Sequence, residues 1–193
     1  TSLLSSIADF HQVDESAGIP MHDGYKDALI SKTSAFAAYL DDISQRADDV
    51  RGGRVSRKDD NMLKITTDGR KAALDLRLVD PNAGFTYQSK VARCAENVAD
   101  IYFKNAQSKA TQLIFCDTST PKAGFNIYDE LKTTLINLGV PEAQIAYIHD
   151  AETEAKRTRL FMKVRNGEVR ILIGSTFKLG LGVNIQDRLI ALH

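Results

Sequence analysis

Cysteine, proline and tryptophan are scarce in this chain of 193 residues, which contains 2 Cys, 4 Pro and no Trp. Two cysteines are too few for a disulfide-rich scaffold, and both Cys94 and Cys116 lie in apolar stretches that are typical of buried thiols. So little proline, together with only 12 Gly, excludes collagen-like chains and Pro/Gly-rich disordered chains. The composition that remains is that of an ordinary globular protein.

Neither charge sign predominates, and long apolar runs are missing. The chain has 25 Lys and Arg against 25 Asp and Glu, so no overall field attracts it to nucleic acid or to a membrane surface. No run approaches the ~18 apolar residues of a membrane span, and the start has no signal-peptide pattern. We therefore expect a cytoplasmic protein without a membrane partner. Residues 188–193 have the pattern of a strand, and we expect the chain to be part of a longer polypeptide.

Residues 1–85 are predicted to form a helical N-terminal extension. An apolar stripe with spacings of three, four and three residues predicts a helix from near Tyr25 to Gly52-Gly53. The short apolar run Met62–Ile65 predicts a strand, and Thr67 or Asp68 is expected to cap a second helix over residues 69–77. The stripe of the first helix comprises Leu40, Ile43, Ala47 and Val50.

The basic residues of the second predicted helix have two interpretations. Arg70, Lys71 and Arg77 are typical of a solvated helix face, and a clamp on DNA is the alternative. The sequence alone favours the solvated face.

From residue 86 onward, short apolar strands alternate with amphipathic helices. This alternation predicts a three-layer α/β domain, in which a parallel sheet is covered by helices on both faces. Ligands of such sheets gather at the carboxyl ends of the strands, which here are residues 117–120, 149–150 and 174–184. The predicted strands are Leu113–Cys116, Ile145–Ile148, Val169–Ile173 and Leu189–Leu192.

The most informative stretch is Val169–Asn184, with the sequence VRILIGSTFKLGLGVN. Its small residues allow backbone N–H groups to approach a phosphate, Ser175 and Thr176 add hydroxyl donors, and Lys178 adds positive charge. A glycine-permitted turn is the simpler interpretation of the Gly-x-Gly part. The combination of strand, Ser-Thr, Lys and Gly-x-Gly favours a phosphate-binding or nucleic-acid-binding role.

Four segments resemble the motifs of one enzyme family. Gln112–Asp117 is similar to its motif IV strand, Tyr147–Ala151 to a strand ending in Asp-Gly, and Arg157–Met162 to the helix that follows. Gly174–Asn184 is similar to motif V, whose family form is Ser-Thr-x-Ala-Gly-Gly-Leu-Gly-x-Asn. Over about residues 88–193, the chain thus resembles the second RecA-like lobe of superfamily two helicases, in particular the Swi/Snf-type DNA translocases.

The resemblance implies a fold and a narrower subgroup. It implies a RecA-like, P-loop-NTPase-like lobe over residues 86–193 that stops before the family's arginine-finger motif. Residues 60–65 and 68–75, together with Phe177-Lys178-Leu179, resemble a bacterial subgroup of large helicase–methyltransferase polypeptides from phages and conjugative elements.

The resemblance also implies roles for individual residues. In such lobes, hydroxyls after the motif IV strand and at the start of motif V hold the phosphodiester backbone, and we add Lys178 because of its charge and place. Turn capping is the alternative for the hydroxyls after motif IV, and left-handed turn geometry is the alternative for Asn184. The expected DNA-binding residues are Thr118, Ser119, Ser175, Thr176 and Lys178, and the expected nucleotide-binding residues are Gly180, Gly182 and Asn184.

Chemistry that would complete a motor is missing from the sequence. It contains no Gly-x-x-x-x-Gly-Lys-Ser/Thr phosphate cradle and no Asp-Glu pair at a predicted strand end. Its four histidines have no metal-ligand spacing, and His149-Asp150 is interpreted as a packed turn, with a base and its orienter as the alternative. We expect no catalytic residue and no metal site in this chain, whereas ATP and Mg²⁺ are expected in the full-length protein.

The resulting hypothesis is the second lobe of an ATP-driven DNA helicase or translocase. Its expected partners are DNA and the N-terminal helicase lobe of the same polypeptide, and the chain alone is expected to be inactive. The alternative is a non-catalytic nucleic-acid-binding or protein-docking module with a helicase-like fold. A small-molecule α/β enzyme is disfavoured because the sequence shows no nucleophile–base set.

Overall fold

A four-stranded, all-parallel sheet in the order β2–β3–β1–β4 organises the molecule. The computed structural model describes residues 23–180 and 183–193. The strands are β1 (Thr111–Phe115), β2 (Ile145–Tyr147), β3 (Ile171–Gly174) and β4 (Leu189–Leu192). The helices are α1 (Ser34–Arg51), α2 (Met62–Leu74), α3 (Lys90–Lys104), α4 (Ile127–Asn137), α5 (Glu154–Arg165) and α6 (Thr176–Leu179).

Both faces of the sheet are covered, as the sequence predicts for an α/β domain. Ile114 and Ile173 lie side by side in β1 and β3, and their face packs against α3 and α4. Leu113 and Leu172 point the opposite way, into a second cluster with α5 and α6. Because side chains alternate along a strand, continuous apolar strands fill both layers at once.

Local capping chemistry in the sequence predicts a helix start at Thr153 and helix ends at Gly139 and at Asn166-Gly167, and the structure confirms these positions. The Thr153 side chain accepts a hydrogen bond from Lys156 N at the start of α5. Gly139 and Gly167, which follow α4 and α5, have φ angles of +96° and +73°. Glycine adopts this left-handed conformation without strain and so ends a helix cleanly.

The N-terminal helix begins later than predicted. α1 starts at Ser34, where the Thr33 side chain accepts from Phe36 N, and it ends at Gly52 as expected. The periodic stripe begins only at Leu40, so the part of the prediction that reached back toward Tyr25 rested on no apolar periodicity.

The predicted strand Met62–Ile65 is wrong, because these residues form the first turn of α2. The Asn61 side chain accepts from Lys64 N and caps the helix, so Thr67 and Asp68 lie inside it. A short apolar run fits a strand and a helix equally well in sequence, and the cap seven residues upstream of Asp68 decides between them.

Ionic contacts join α1 to α2. Arg46 donates to Asp60 at 2.7 and 3.1 Å and to Asp68 at 3.0 Å. The hydrogen bonds from Arg46 hold the pKa of the Asp60 carboxyl below its ordinary value. In sequence, the pair Asp59-Asp60 is typical of a solvated face or a helix cap, and the ion pair with Arg46 shows that this interpretation is wrong for Asp60.

Arg77 docks the N-terminal helices on the α/β layers. Its guanidinium contacts Asp75 at 2.7 Å and Glu130 of α4 at 3.1 Å, and it lies 4.4 Å from the ring centre of Phe125. Only 15% of its side chain is exposed. Neither a solvated helix face nor a DNA clamp describes Arg77, because its donors are used inside the protein.

Candidate nucleic-acid interface

The loops that follow β1 and β3 meet at the carboxyl edge of the sheet. The register pairs Phe115 with Gly174, so the two neighbouring strands end at the same level. The residues that follow them, 117–119 and 175–178, therefore lie on adjacent loops although some 60 positions separate them in sequence. The structure brings together both hydroxyl-bearing segments that the sequence assigned to DNA.

Asp117 and Thr176 connect the two loops directly. The Thr176 backbone N–H donates to Asp117 Oδ1 at 2.7 Å, and its hydroxyl donates to Asp117 Oδ2 at 2.8 Å. Both residues are exposed. The sequence interpretation omitted Asp117 from the site, although the residue lies directly beyond the first strand, where the carboxyl-edge rule places ligand-binding groups.

Hydrogen bonds from the buried residues Tyr128 and Cys116 hold the loop after β1 in place. Tyr128 donates its hydroxyl to the Cys116 carbonyl at 2.6 Å, and the Cys116 thiol donates to the Thr118 carbonyl at 3.0 Å. Ser119 has a φ of +59°, and its hydroxyl accepts from Ile127 N at 3.2 Å. Ser119 thus has the capping contact that was its alternative interpretation, and its DNA contact stays a prediction.

The Cys116 thiol is a structural group. Burial raises the pKa of this thiol, which keeps it protonated and able to donate to the loop. Cys94 is partly buried against the core, and this desolvation raises its pKa to about 12. Both thiols behave as the apolar context in the sequence indicates.

The corner between β3 and α6 requires a glycine. A Cβ atom on Gly174 would lie 2.5 Å from Ile148 Cγ2 and 2.6 Å from Leu179 Cδ1, which is closer than real contacts allow. The Ser175 hydroxyl then accepts from Lys178 N at 3.3 Å and starts α6. This tight corner brings Ser175 and Thr176 close to the end of β1.

Lys178 lies beside the end of β2. It belongs to α6, which contacts the turn Ile148–Asp150 that follows β2. Burial lowers the pKa of His149 in this turn, and the charge of Lys178 lowers it further. Among the described residues Lys178 forms no ion pair. Its charge is therefore not used in an ion pair in that part of the protein.

His149 occupies a packed turn. It lies in the single helical turn Ile148–Asp150, and its ring is 5.2 Å from that of Tyr128 in an edge-on arrangement. Its Nδ1 is buried without a hydrogen-bond partner among the described residues. The alternative of a base oriented by Asp150 has no contact to support it, since no hydrogen bond joins this pair within the described chain.

The structure describes Gly180 and Asn184, two of the three expected nucleotide-binding residues. The Gly-x-Gly pattern predicts for Gly180 either a positive φ or a backbone that approaches a ligand closely. Gly180 ends α6 with a φ of −82°, so the first possibility is wrong and the second stays a prediction. Gly182 lies outside the described residues. The Asn184 carbonyl accepts from Arg165 Nη1 at 3.1 Å, at the end of α5, and α5 runs toward the edge of the sheet where β3 begins. The nucleotide-binding role of Gly180 and Asn184 stays a prediction.

Two absences hold within the described parts of the chain. Residues 23–180 and 183–193 contain no cluster of His, Cys, Asp and Glu that could hold a metal ion. Across the same ranges, none of the helices combines the length and the apolar character needed to cross a membrane.

Comparison with protein-family models, curated proteins and solved structures gives no match to this chain.

Proposed function

We propose that this chain is the second, RecA-like motor lobe of an ATP-dependent DNA helicase or translocase, and that the carboxyl edge of its sheet binds the DNA backbone. The observation that supports this best is the meeting of the 117–119 and 175–178 loops at the ends of two adjacent parallel strands. Ligands of open α/β sheets bind at this edge. The all-parallel sheet with helices on both faces is compatible with the RecA-like fold.

The chemistry of this edge suits phosphate oxygens and not base edges. Ser119 and Ser175 use their hydroxyl oxygens as acceptors, and among the described residues their hydroxyl protons have no protein acceptor. Lys178 adds a positive charge that forms no ion pair among the described residues. Hydroxyl and ammonium donors of this kind position a nucleic acid through its backbone and carry no sequence information. DNA binding should therefore be independent of sequence.

ATP and Mg²⁺ belong to the proposed whole enzyme. The sequence contains no phosphate-cradle motif, and the described residues contain no cluster of His, Cys, Asp and Glu that could hold a metal ion. We therefore assign no step of hydrolysis to this chain. In the proposal, the chain contributes one wall of a cleft, and the other lobe holds the phosphates and the metal.

DNA binding by wild type and by Thr176→Ala/Lys178→Ala tests the assigned face. Because net charge is zero, binding depends on a few local contacts, and the slope of log K against log salt should be shallow, roughly −2 to −4. The double variant should bind a labelled oligonucleotide at least about tenfold more weakly at low salt, as followed by fluorescence anisotropy.

The matched control is Thr133→Ala/Lys104→Ala. It removes the same hydroxyl and the same charge from exposed positions on α4 and α3, away from the carboxyl edge. Its affinity should equal that of wild type. Equal binding by wild type and the Thr176/Lys178 variant would show that the assigned face is wrong, and it would favour a docking module.

A further inference from the structure

Asp117 places a negative charge in the middle of a surface that is proposed to bind a polyanion. Both of its oxygens are engaged by Thr176, at 2.7 and 2.8 Å. Asp117 forms no ion pair with any cation in residues 23–180 and 183–193. A carboxylate in this position repels phosphate and also holds the hydroxyl that is assigned to DNA.

We propose that Asp117 is an internal competitor for DNA phosphate, whose carboxylate must release the Thr176 hydroxyl before that hydroxyl can bind the backbone. This inference rests on the proposed function, since it concerns the same surface. Asp117 then sets the affinity of the site for DNA and keeps Thr176 in place while DNA is absent.

The contact is suited to exchange. A hydroxyl has one proton, so Thr176 cannot donate to Asp117 and to a phosphate oxygen at the same time. Both side chains are exposed, and hydrogen bonds between exposed groups compete with water at little net cost. Rotation of the Asp117 side chain therefore frees the hydroxyl without disturbing the buried strands below it.

The other side chains of this surface compete less directly. Ser175 and Ser119 accept from backbone N–H groups at 3.3 and 3.2 Å, which leaves their own protons available. Asp150 is another exposed carboxylate at this edge, beyond β2, and it holds none of the assigned donors. Asp150 therefore serves as the matched control for charge alone.

The experiment is a double-mutant cycle on affinity for a labelled single-stranded DNA oligonucleotide at low salt. The variants are Asp117→Asn, Asp150→Asn, Thr176→Val and Asp117→Asn/Thr176→Val, each checked by thermal unfolding for retention of the fold. We expect Asp117→Asn to bind several-fold more tightly than Asp150→Asn. Thr176→Val should remove this advantage, because the released hydroxyl is its source.

Each other outcome overturns the inference in a recognisable way. Equal gains for Asp117→Asn and Asp150→Asn mean that only net charge matters. Weaker binding by Asp117→Asn means that Asp117 orders the loop for DNA and does not compete with it. A gain that survives Thr176→Val means that the new amide itself binds phosphate. If wild type and all variants fail to bind DNA, both the proposed function and this inference are wrong. If wild type binds DNA and the Thr176→Ala/Lys178→Ala variant binds it more weakly, the proposed function is supported even where the results for Asp117 contradict this inference.

Discussion

Thr176 and Asp117 are separated by 59 positions, and a tight corner at Gly174 brings them into contact. This corner is the smallest feature on which the candidate interface depends. The φ of Gly174 is not positive, so the backbone conformation does not require glycine here. The requirement comes from the lack of space for a side chain. Ile148 and Leu179 occupy the volume that a side chain would need.

Gly174→Ala is expected to destabilise the protein by about 1–3 kcal/mol, because the added methyl overpacks a buried corner. Gly69→Ala is the matched control, since a Cβ on Gly69 in α2 meets nothing within 4 Å. This control should be neutral or more stable, by up to about 1 kcal/mol, since alanine favours a helix. Urea unfolding of both variants measures the difference, and equal stability would show that the corner relaxes freely.

At the scale of the elements, Arg170 ties α3 to two strands. It is 4% exposed and precedes β3. Its guanidinium donates to the carbonyls of Ala110, Tyr102 and Asn105 at 3.1, 2.7 and 3.1 Å and lies 3.8 Å from the centre of the Tyr102 ring. Two of these carbonyls belong to the last turn of α3 and its C-cap, where cations and donors stabilise a helix.

Arg170→Met should lower the free energy of unfolding by about 2–3 kcal/mol, because three buried carbonyl groups lose a donor. The control is Arg93→Met on α3. It removes an exposed i,i+3 ion pair with Glu96 and should change the free energy of unfolding by under about 0.5 kcal/mol. Chemical denaturation compares the two variants. Similar small losses for both would mean that water replaces the guanidinium at these carbonyls.

At the scale of the whole molecule, charge is balanced and the candidate interface is local. Residues 145–193 hold eight Lys and Arg against five Asp and Glu, counted from the sequence, whereas the whole chain has equal numbers. Arg77 contacts Glu130 of α4 at 3.1 Å, and Leu74 and Leu78 pack against the core cluster that α3 and α4 form with the sheet. The N-terminal helices are thus joined to the α/β layers on the face of the sheet that α3 and α4 cover.

The purified chain is expected to hydrolyse no ATP, with or without DNA. Phosphoryl transfer needs positioned phosphates, a metal, an oriented water and a cation on the developing charge, and the 193 residues contain no phosphate-cradle motif. One wall of a cleft leaves most of a nucleotide in water, so ATP affinity should be millimolar or weaker, about −4 kcal/mol at best. A phosphate-release assay measures this. ATP turnover by the purified chain that disappears in Lys178→Ala would contradict the proposal that this chain is only the second lobe of the motor.

The sequence by itself determined the layered part of the fold. Continuous apolar strands and the helices between them predicted the parallel sheet over residues 86–193, because burial on both faces demands that pattern. The caps at Thr153, Gly139 and Gly167 located helix ends through chemistry confined to a few neighbouring residues. The same local reasoning failed at residues 62–65, which begin α2, because a run of four residues is too short to show whether its apolar positions repeat as in a helix or as in a strand.

Only the tertiary structure decided which polar groups remain available. The sequence placed Thr176 at the carboxyl edge, but strand order and register brought Asp117 against it. Arg77 likewise looked solvated until packing paired it with Asp75 and Glu130. The Asn184 carbonyl accepts from Arg165, a residue 19 positions earlier in the chain. Each of these outcomes depends on contacts between distant parts of the chain, which periodicity and local spacing do not encode.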